Sequence, residues 1–116
     1  MTRYLISFDH GAMDHIPDEQ ERDVREASLA VIRDARDAGV WVFAGGLYPD
    51  DEGNPSVVGP DGTVADAPQR SPYIAGVTII DVPSREEALE WAAKIAVACR
   101  CSQEVRAFMP DPAVGN

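Results

Sequence analysis

Two histidines, His10 and His15, are the side chains whose unperturbed pKa lies closest to neutrality in this sequence. Asp9 precedes His10 at the end of a predicted strand, and a histidine beside a carboxylate could act as a general base. Ser28 is a polar residue on the otherwise apolar stripe of a predicted helix, where it could line a pocket. His10, Asp9 and Ser28 are therefore the candidate catalytic residues. The alternatives are solvent-exposed loop histidines and a serine that donates to a carbonyl of its own helix.

A second group of residues could line a pocket for a small ligand. Trp41 and Phe43 could form its floor, although packing in a core or an interface would explain both aromatics as well. Asp66 and Arg70 flank prolines and could cover the pocket, with a turn-capping aspartate and an exposed arginine as the alternative. Ser7 lies close to Asp9 and His10 on the first predicted strand. The pocket is expected beneath the first helix or between two sheets.

The cysteines, Cys99 and Cys101, are the only two in the chain. They lie too close in sequence for a comfortable disulfide. A closed metal site takes four ligands, and the two histidines are distant in sequence. We therefore expect reduced, structural thiols, no bound metal and no cofactor.

The length and charge restrict the class of protein. A chain of 116 residues is expected to form one domain, residues 1–116, whose last residues from about 110 form a tail. The net charge of -10 repels phosphate backbones and anionic lipids, so neither nucleic acid nor a membrane is an expected partner. No apolar run approaches the roughly 20 residues of a membrane span. The N-terminus does not have the pattern of a signal peptide, which predicts a cytoplasmic location.

The stretch from Gly76 to Ala98 predicts a strand followed directly by a helix. Gly76–Val82 is rich in Val, Ile and Thr, and Pro83 ends the strand. Ser84 and Glu87 then have the spacing of a capping box, which starts a helix that runs to Ala98.

The remaining segments complete an alternating pattern. Asp18, with Glu21 at the capping-box position, starts another helix that runs to Ala38 and ends at Gly39. Asp66–Tyr73 contains two prolines, which exclude regular sheet. The further predicted strands are Arg3–Phe8, Val40–Leu47, a hairpin of Ser56–Val58 with Thr63–Ala65, and Gln103–Phe108. This order predicts a ferredoxin-like α+β fold, βαβ–βαβ with a hairpin inserted between the halves and both helices on one face of an antiparallel sheet.

The second strand predicts self-association. Its alternation places Val40, Val42 and Ala44 on one face and Trp41 and Phe43 on the other, so both faces are apolar. Val77–Val82 is apolar on both faces as well. Two helices cover only one face of a four-stranded sheet, so the other face is expected to pack against a second copy in a homodimer.

Four groups of residues resemble the YCII-related family, specifically its DGPF-domain branch. They are Tyr4-Leu5-Ile6; Asp37-Ala38-Gly39-Val40 with Ala44-Gly45-Gly46-Leu47; Asp61-Gly62-Thr63-Val64 with Asp66-Ala67-Pro68; and Ile79-Ile80-Asp81-Val82 with Glu86-Glu87-Ala88, Trp91-Ala92 and Glu104-Val105-Arg106. The resemblance extends to Pro110 and implies a dimeric α/β barrel.

The chain departs from the family pattern at two places. The DGPF signature is replaced by Asp66-Ala67-Pro68-Gln69. One branch of the family is thought to use a histidine on the first helix with an acidic partner, and the matching position falls near Ser28. No histidine occurs between Asp18 and Ala38, so that dyad is not carried over to this chain.

Two functions follow as hypotheses. The first is a proton-transfer enzyme, an isomerase or lyase acting on a small polar metabolite through His10, Asp9 and Ser28. The second is a non-catalytic module that binds a small ligand or acts as a regulatory accessory. The family resemblance together with His10, Asp9 and Ser28 supports the first, whereas the missing helix histidine and the lack of an activated nucleophile support the second, and the sequence does not decide between them.

Overall fold

The computed structural model describes residues 1–49, 55–67 and 73–116, and Arg70 of the predicted pocket therefore lies outside the described residues. A short 3-10 turn, Asp18–Gln20, precedes the first helix, and another, Pro112–Val114, lies near the C-terminus. The described elements follow the order β1 (Thr2–Asp9), α1 (Glu21–Asp37), β2 (Trp41–Gly46), β3 (Ser56–Val58), β4 (Val64–Asp66), β5 (Ile74–Val82), α2 (Arg85–Cys99) and β6 (Glu104–Ala107).

Four strands form one antiparallel sheet in the order β2-β5-β1-β6. The predicted strand Gly76–Val82 lies within β5, which is hydrogen-bonded to β2 on one side and β1 on the other. This topology, with one helix between β1 and β2 and another between β5 and β6, confirms a ferredoxin-like α+β arrangement.

Both helices pack on the same face of the sheet, as predicted. Ile6 and Ile80 face them from neighbouring central strands, and each is almost completely buried. Small residues let the helices approach: Ala35 of α1, and Ala88 and Ala92 of α2. The core therefore lies in a single layer between helices and sheet, and consists of Tyr4, Ile6, Ala35, Val40, Ile80, Val82, Ala88 and Ala92.

The two helices begin differently. Ser84 caps α2, and its hydroxyl oxygen accepts from the Glu87 amide at 3.2 Å, as the sequence predicted. The capping box predicted for Asp18 is wrong, because no side chain caps α1. The Gln20 amide donates to the Pro17 carbonyl at 2.9 Å, so the chain forms a tighter 3-10 turn at residues 18–20 and the α-helix begins at Glu21.

A β-bulge in β2 reverses part of the predicted alternation. Trp41 lies opposite Ile80, whereas Phe43 lies opposite Ile79, with a register shift between the two aromatic residues. Trp41 therefore faces the helices and Phe43 faces the other side of the sheet. The prediction that Trp41 and Phe43 share one face is wrong, because the bulge inserts an extra residue into the two-residue repeat.

The inserted hairpin pairs β3 with β4 as a separate two-stranded sheet. Its turn is closed by the Gly59 amide, which donates to the Thr63 carbonyl at 2.8 Å, and Gly62 supplies a φ of +85°. Asp66 pairs with Ser56, so the prediction that regular sheet ends before Asp66 is wrong by one residue.

No helix within the described ranges is both long and apolar enough to cross a membrane.

Candidate functional site

A cleft of about 560 Å³ lies between α1, the β1–α1 loop and the neighbouring ends of β1, β5 and β2. We call it the α1 cleft. One face of α1 forms its wall, with residues at helical spacing: Glu21, Val24, Arg25, Ser28, Leu29 and Ile32. Three of these side chains, Val24, Leu29 and Ile32, are apolar and the other three are polar or charged, so the wall offers hydrophobic contact and polar groups in equal number.

Glycines form much of the floor of the α1 cleft. Gly45, Gly46 and Gly76 line it from β2 and β5. A Cβ atom at Gly46 would meet only the Ala75 carbonyl oxygen, at 3.9 Å, so this glycine leaves open space. Gly76 differs, because Phe8 lies opposite it across the sheet and the aromatic ring occupies the place of a side chain.

The β1–α1 loop supplies Met13 and Ile16 to the remaining side of the cleft. The loop is a series of tight turns, in which the Asp14 amide donates to Gly11 and the Ile16 amide donates to Met13, both at 3.1 Å. Its start is anchored where the His10 amide donates to the Tyr73 carbonyl at 2.8 Å. The loop therefore holds its apolar side chains against the cleft through backbone bonds.

A smaller cavity of about 90 Å³ lies deeper, between the two helices and the sheet. We call it the inner cavity. Trp41 and Trp91 are among the residues that line it. Four residues line both spaces, which makes the inner cavity a continuation of the cleft: Ser28, Ile32, Thr78 and Cys99.

Ser28 and Cys99 meet at this junction. The Ser28 hydroxyl donates to the Val24 carbonyl at 2.8 Å, so its single proton is bound within its own helix. The Ser28 Oγ lies 3.4 Å from the Cys99 Sγ, and the thiol is then the donor of that contact. Ser28 is thus bonded back to its own helix and also lines both spaces, so the two structural interpretations of this serine hold together.

Both cysteines are free thiols. Partial burial raises the pKa of the Cys101 thiol, and the neighbouring Cys99 raises it further, against a contact with Gln103 that lowers it. Among the described residues, no three His, Cys, Asp or Glu side chains are grouped so that they could hold a metal ion.

The other predicted site residues are dispersed over the structure. His10 is exposed and stacks on Tyr73, with 4.8 Å between the ring centroids. Neither Asp9 nor His10 is among the described residues that line the α1 cleft. Ser7 is buried, but register places it opposite Val77 on the sheet face away from the helices.

Three of the residues predicted to line a ligand pocket, Trp41, Phe43 and Asp66, also lie apart from one another. Trp41 lines the inner cavity, whereas Phe43 lies on the opposite sheet face with 56% of its surface exposed. Asp66 is exposed at the end of β4. Of the predicted site residues that the structure describes, the α1 cleft therefore contains only Ser28, and the inner cavity contains Ser28 and Trp41.

Sequence reasoning missed most of the cleft. Arg25, Leu29 and Ile32 follow the spacing of a helix face beside the predicted stripe, which is the one signal that could have identified them. Phe8 and Gly76 come together through strand register, and a single sequence does not reveal register.

The fold and the cleft together define an α+β protein of ferredoxin-like topology with a ligand-sized space under its first helix. The family model of the YCII-related domain matches residues 3–110, and the chain belongs to this family. No curated protein matches the chain significantly.

Proposed function

We propose that this YCII-related protein binds a small molecule in the α1 cleft. The observation that carries the proposal is the space itself, about 560 Å³ with a largely apolar lining and a glycine floor. Ligand sites are commonly concave, largely apolar and of a few hundred Å³, with a small number of polar groups that orient the ligand. Arg25, Thr78 and Cys99 are such groups here.

Binding without catalysis fits the polar groups of the cleft better than proton transfer does. The Ser28 proton is bound to the Val24 carbonyl, and no histidine is among the described lining residues. The His10 ring stacks on Tyr73 outside that lining. The proton-transfer enzyme, an isomerase or lyase that uses His10, Asp9 and Ser28, stays a prediction of the sequence.

The proposal includes a homodimer of the dimeric α/β barrel type. Leu5, Phe43, Val77 and Ile79 lie in register on the sheet face away from the helices, and we call them the open-face patch. Phe43 is 56% exposed, so the patch leaves apolar surface in contact with water. A dimer with a two-fold axis would bury the same patch on both subunits at once.

Polar pairs surround the open-face patch. Arg3 lies opposite Asp81 at one end, and Arg106 forms an ion pair with Glu104 at 3.4 Å on β6. An apolar centre with a polar rim is the usual composition of a protein interface.

The proposal also includes membership of the DGPF branch of the family, which the residues from Asp61 to Pro68 imply.

Filling the cleft tests the proposed binding. The neutral dye N-phenyl-1-naphthylamine, whose fluorescence increases in apolar surroundings, is the probe. Gly46→Leu places a side chain in open space and should remove most of the fluorescence increase, whereas Gly46→Ala should retain it. Circular dichroism and urea unfolding show whether each variant is folded. A dye that binds the folded Gly46→Leu variant as well as the original chain, or does not bind the original chain at all, contradicts the proposal.

A further inference from the structure

Arg25 differs from Arg22, a paired arginine of the same helix. It lines the α1 cleft, and no described carboxylate forms an ion pair with it. Arg22, one turn earlier and outside the lining, is bound to Glu26 at 3.2 Å. The cleft therefore has at its mouth a guanidinium group that is not neutralised by a described neighbour.

Glu21 is the other charged residue among the described lining. It is the first residue of α1, where the positive end of the helix dipole stabilises a carboxylate. Arg25 lies one turn further along the same face, beside Ser28 and Leu29, and has no such compensation. Glu21 and Arg25 lie one turn apart but form no ion pair, so the Arg25 guanidinium is available to bind an anionic group of a ligand.

We propose that the ligand is a small, largely apolar molecule with a single carboxylate, and that Arg25 binds this carboxylate; the proposal rests on the binding function proposed above. A guanidinium presents parallel N–H donors that match the two oxygens of a carboxylate. A more highly charged or polar ligand would lose its hydration against the largely apolar lining of the cleft without gaining hydrogen-bond partners in exchange.

The position of Arg25 also sets the orientation of the ligand. Leu29, Ile32 and the glycine floor line the cleft together with Arg25, and Ile32 also lines the inner cavity, so these residues mark a path from one space to the other. With its carboxylate at Arg25, the ligand extends its apolar part along this path towards Ser28 and Cys99. Cys99 is then a natural reporter, because a ligand that reaches the junction shields its thiol from alkylation.

Two compounds with the same alkyl chain, used to displace the dye, test whether the cleft prefers a carboxylate. Octanoate carries a carboxylate and 1-octanol does not, and each is titrated against bound N-phenyl-1-naphthylamine. Arg25→Gln should raise the octanoate concentration required by about tenfold, since a hydrogen bond to a charged group is lost, and should leave 1-octanol unchanged. Arg33→Gln, an exposed arginine of α1 outside the described cleft lining, is the matched control and should change neither.

The outcomes separate the two proposals. If the dye binds in the cleft but Arg25→Gln leaves octanoate displacement unchanged, the carboxylate assignment is wrong and the binding function stands. If Gly46→Leu does not reduce dye binding, the binding function itself is wrong. Octanoate should also slow alkylation of Cys99 in the original chain; equal rates with and without octanoate would overturn the proposed orientation.

Discussion

The ring of Phe8 lies directly across the sheet from Gly76, and it occupies the volume that a side chain at position 76 would need. A Cβ atom placed there would overlap the Cε1 and Cζ atoms of the ring. This pair precedes the last pair of the β1–β5 ladder, Asp9 with Ile74, and forms part of the α1 cleft.

Gly76→Ala should therefore lower the free energy of unfolding by about 1–3 kcal/mol, the usual cost of overpacking, in urea titrations. Gly46→Ala is the matched control, because its Cβ meets open space, and it should change stability far less. Adding Phe8→Leu to Gly76→Ala should recover part of the loss. Additive effects of the two substitutions would show that the ring is not the obstacle.

Phe43→Asp should convert the proposed dimer to a monomer. The substitution places a charge within the open-face patch, where burial in the dimer would leave it unpaired. Light scattering coupled to size exclusion at micromolar concentration measures the mass. Val97→Asp makes the same kind of change at an exposed residue of α2 and should leave the dimer intact. A mass of 12.5 kDa for the original chain would show that the dimer proposal is wrong.

Ser84→Ala should destabilise the protein by about 1 kcal/mol, because the Glu87 amide loses its acceptor. Asp18→Ala should cost less than about 0.5 kcal/mol, since its side chain makes no cap hydrogen bond. Urea unfolding of both variants gives the comparison. If both variants lost the same free energy of unfolding, the conclusion that a side chain caps α2 but not α1 would be wrong.

The hairpin turn should respond to acid. The Asp61 Oδ1 accepts from the Thr63 amide at 2.9 Å, and this bond holds the pKa of the carboxyl below its ordinary value. The charged form therefore stabilises the turn above an ordinary pKa of about 3.9, and the contribution is lost as the pH falls through the lower, folded-state pKa.

Nuclear magnetic resonance of the Asp61 carboxyl and the Thr63 amide measures this titration. Asp61→Asn keeps an oxygen acceptor without a titratable group, so its Thr63 amide should be insensitive to pH over this window. A carboxyl that titrates at or above the ordinary value would contradict the prediction.

The sequence predicted the order of the elements because each has a local signature. Ser84 and Gly39 mark helix ends, and the β-rich run before Pro83 marks the central strand. The bulge in β2 was not predictable, because nothing in Val40–Phe43 distinguishes an extra residue from regular alternation. Asp18 has the residue type of a cap, but Pro17 accepts the Gln20 amide and forms a different turn.

The site was less predictable than the fold. Ser28 could be placed beside a pocket under the first helix because its position on the helical stripe is a local property. Arg25 resembles any exposed helix residue until the glycine floor opposite it is known. Phe8 and Gly76 meet only through pairing of strands from distant parts of the chain.

The strand order also determines when this protein can fold during synthesis. β1 and β2 are made first, yet they share no ladder, because β5 lies between them. Thr2 pairs with Val82, and Asp9 pairs with Ile74, so the first hydrogen bonds of the four-stranded sheet must wait until β5 has left the ribosome. Such non-local pairing slows folding and exposes unpaired strands on the nascent chain. The first 49 residues contain two strands that cannot form the four-stranded sheet on their own.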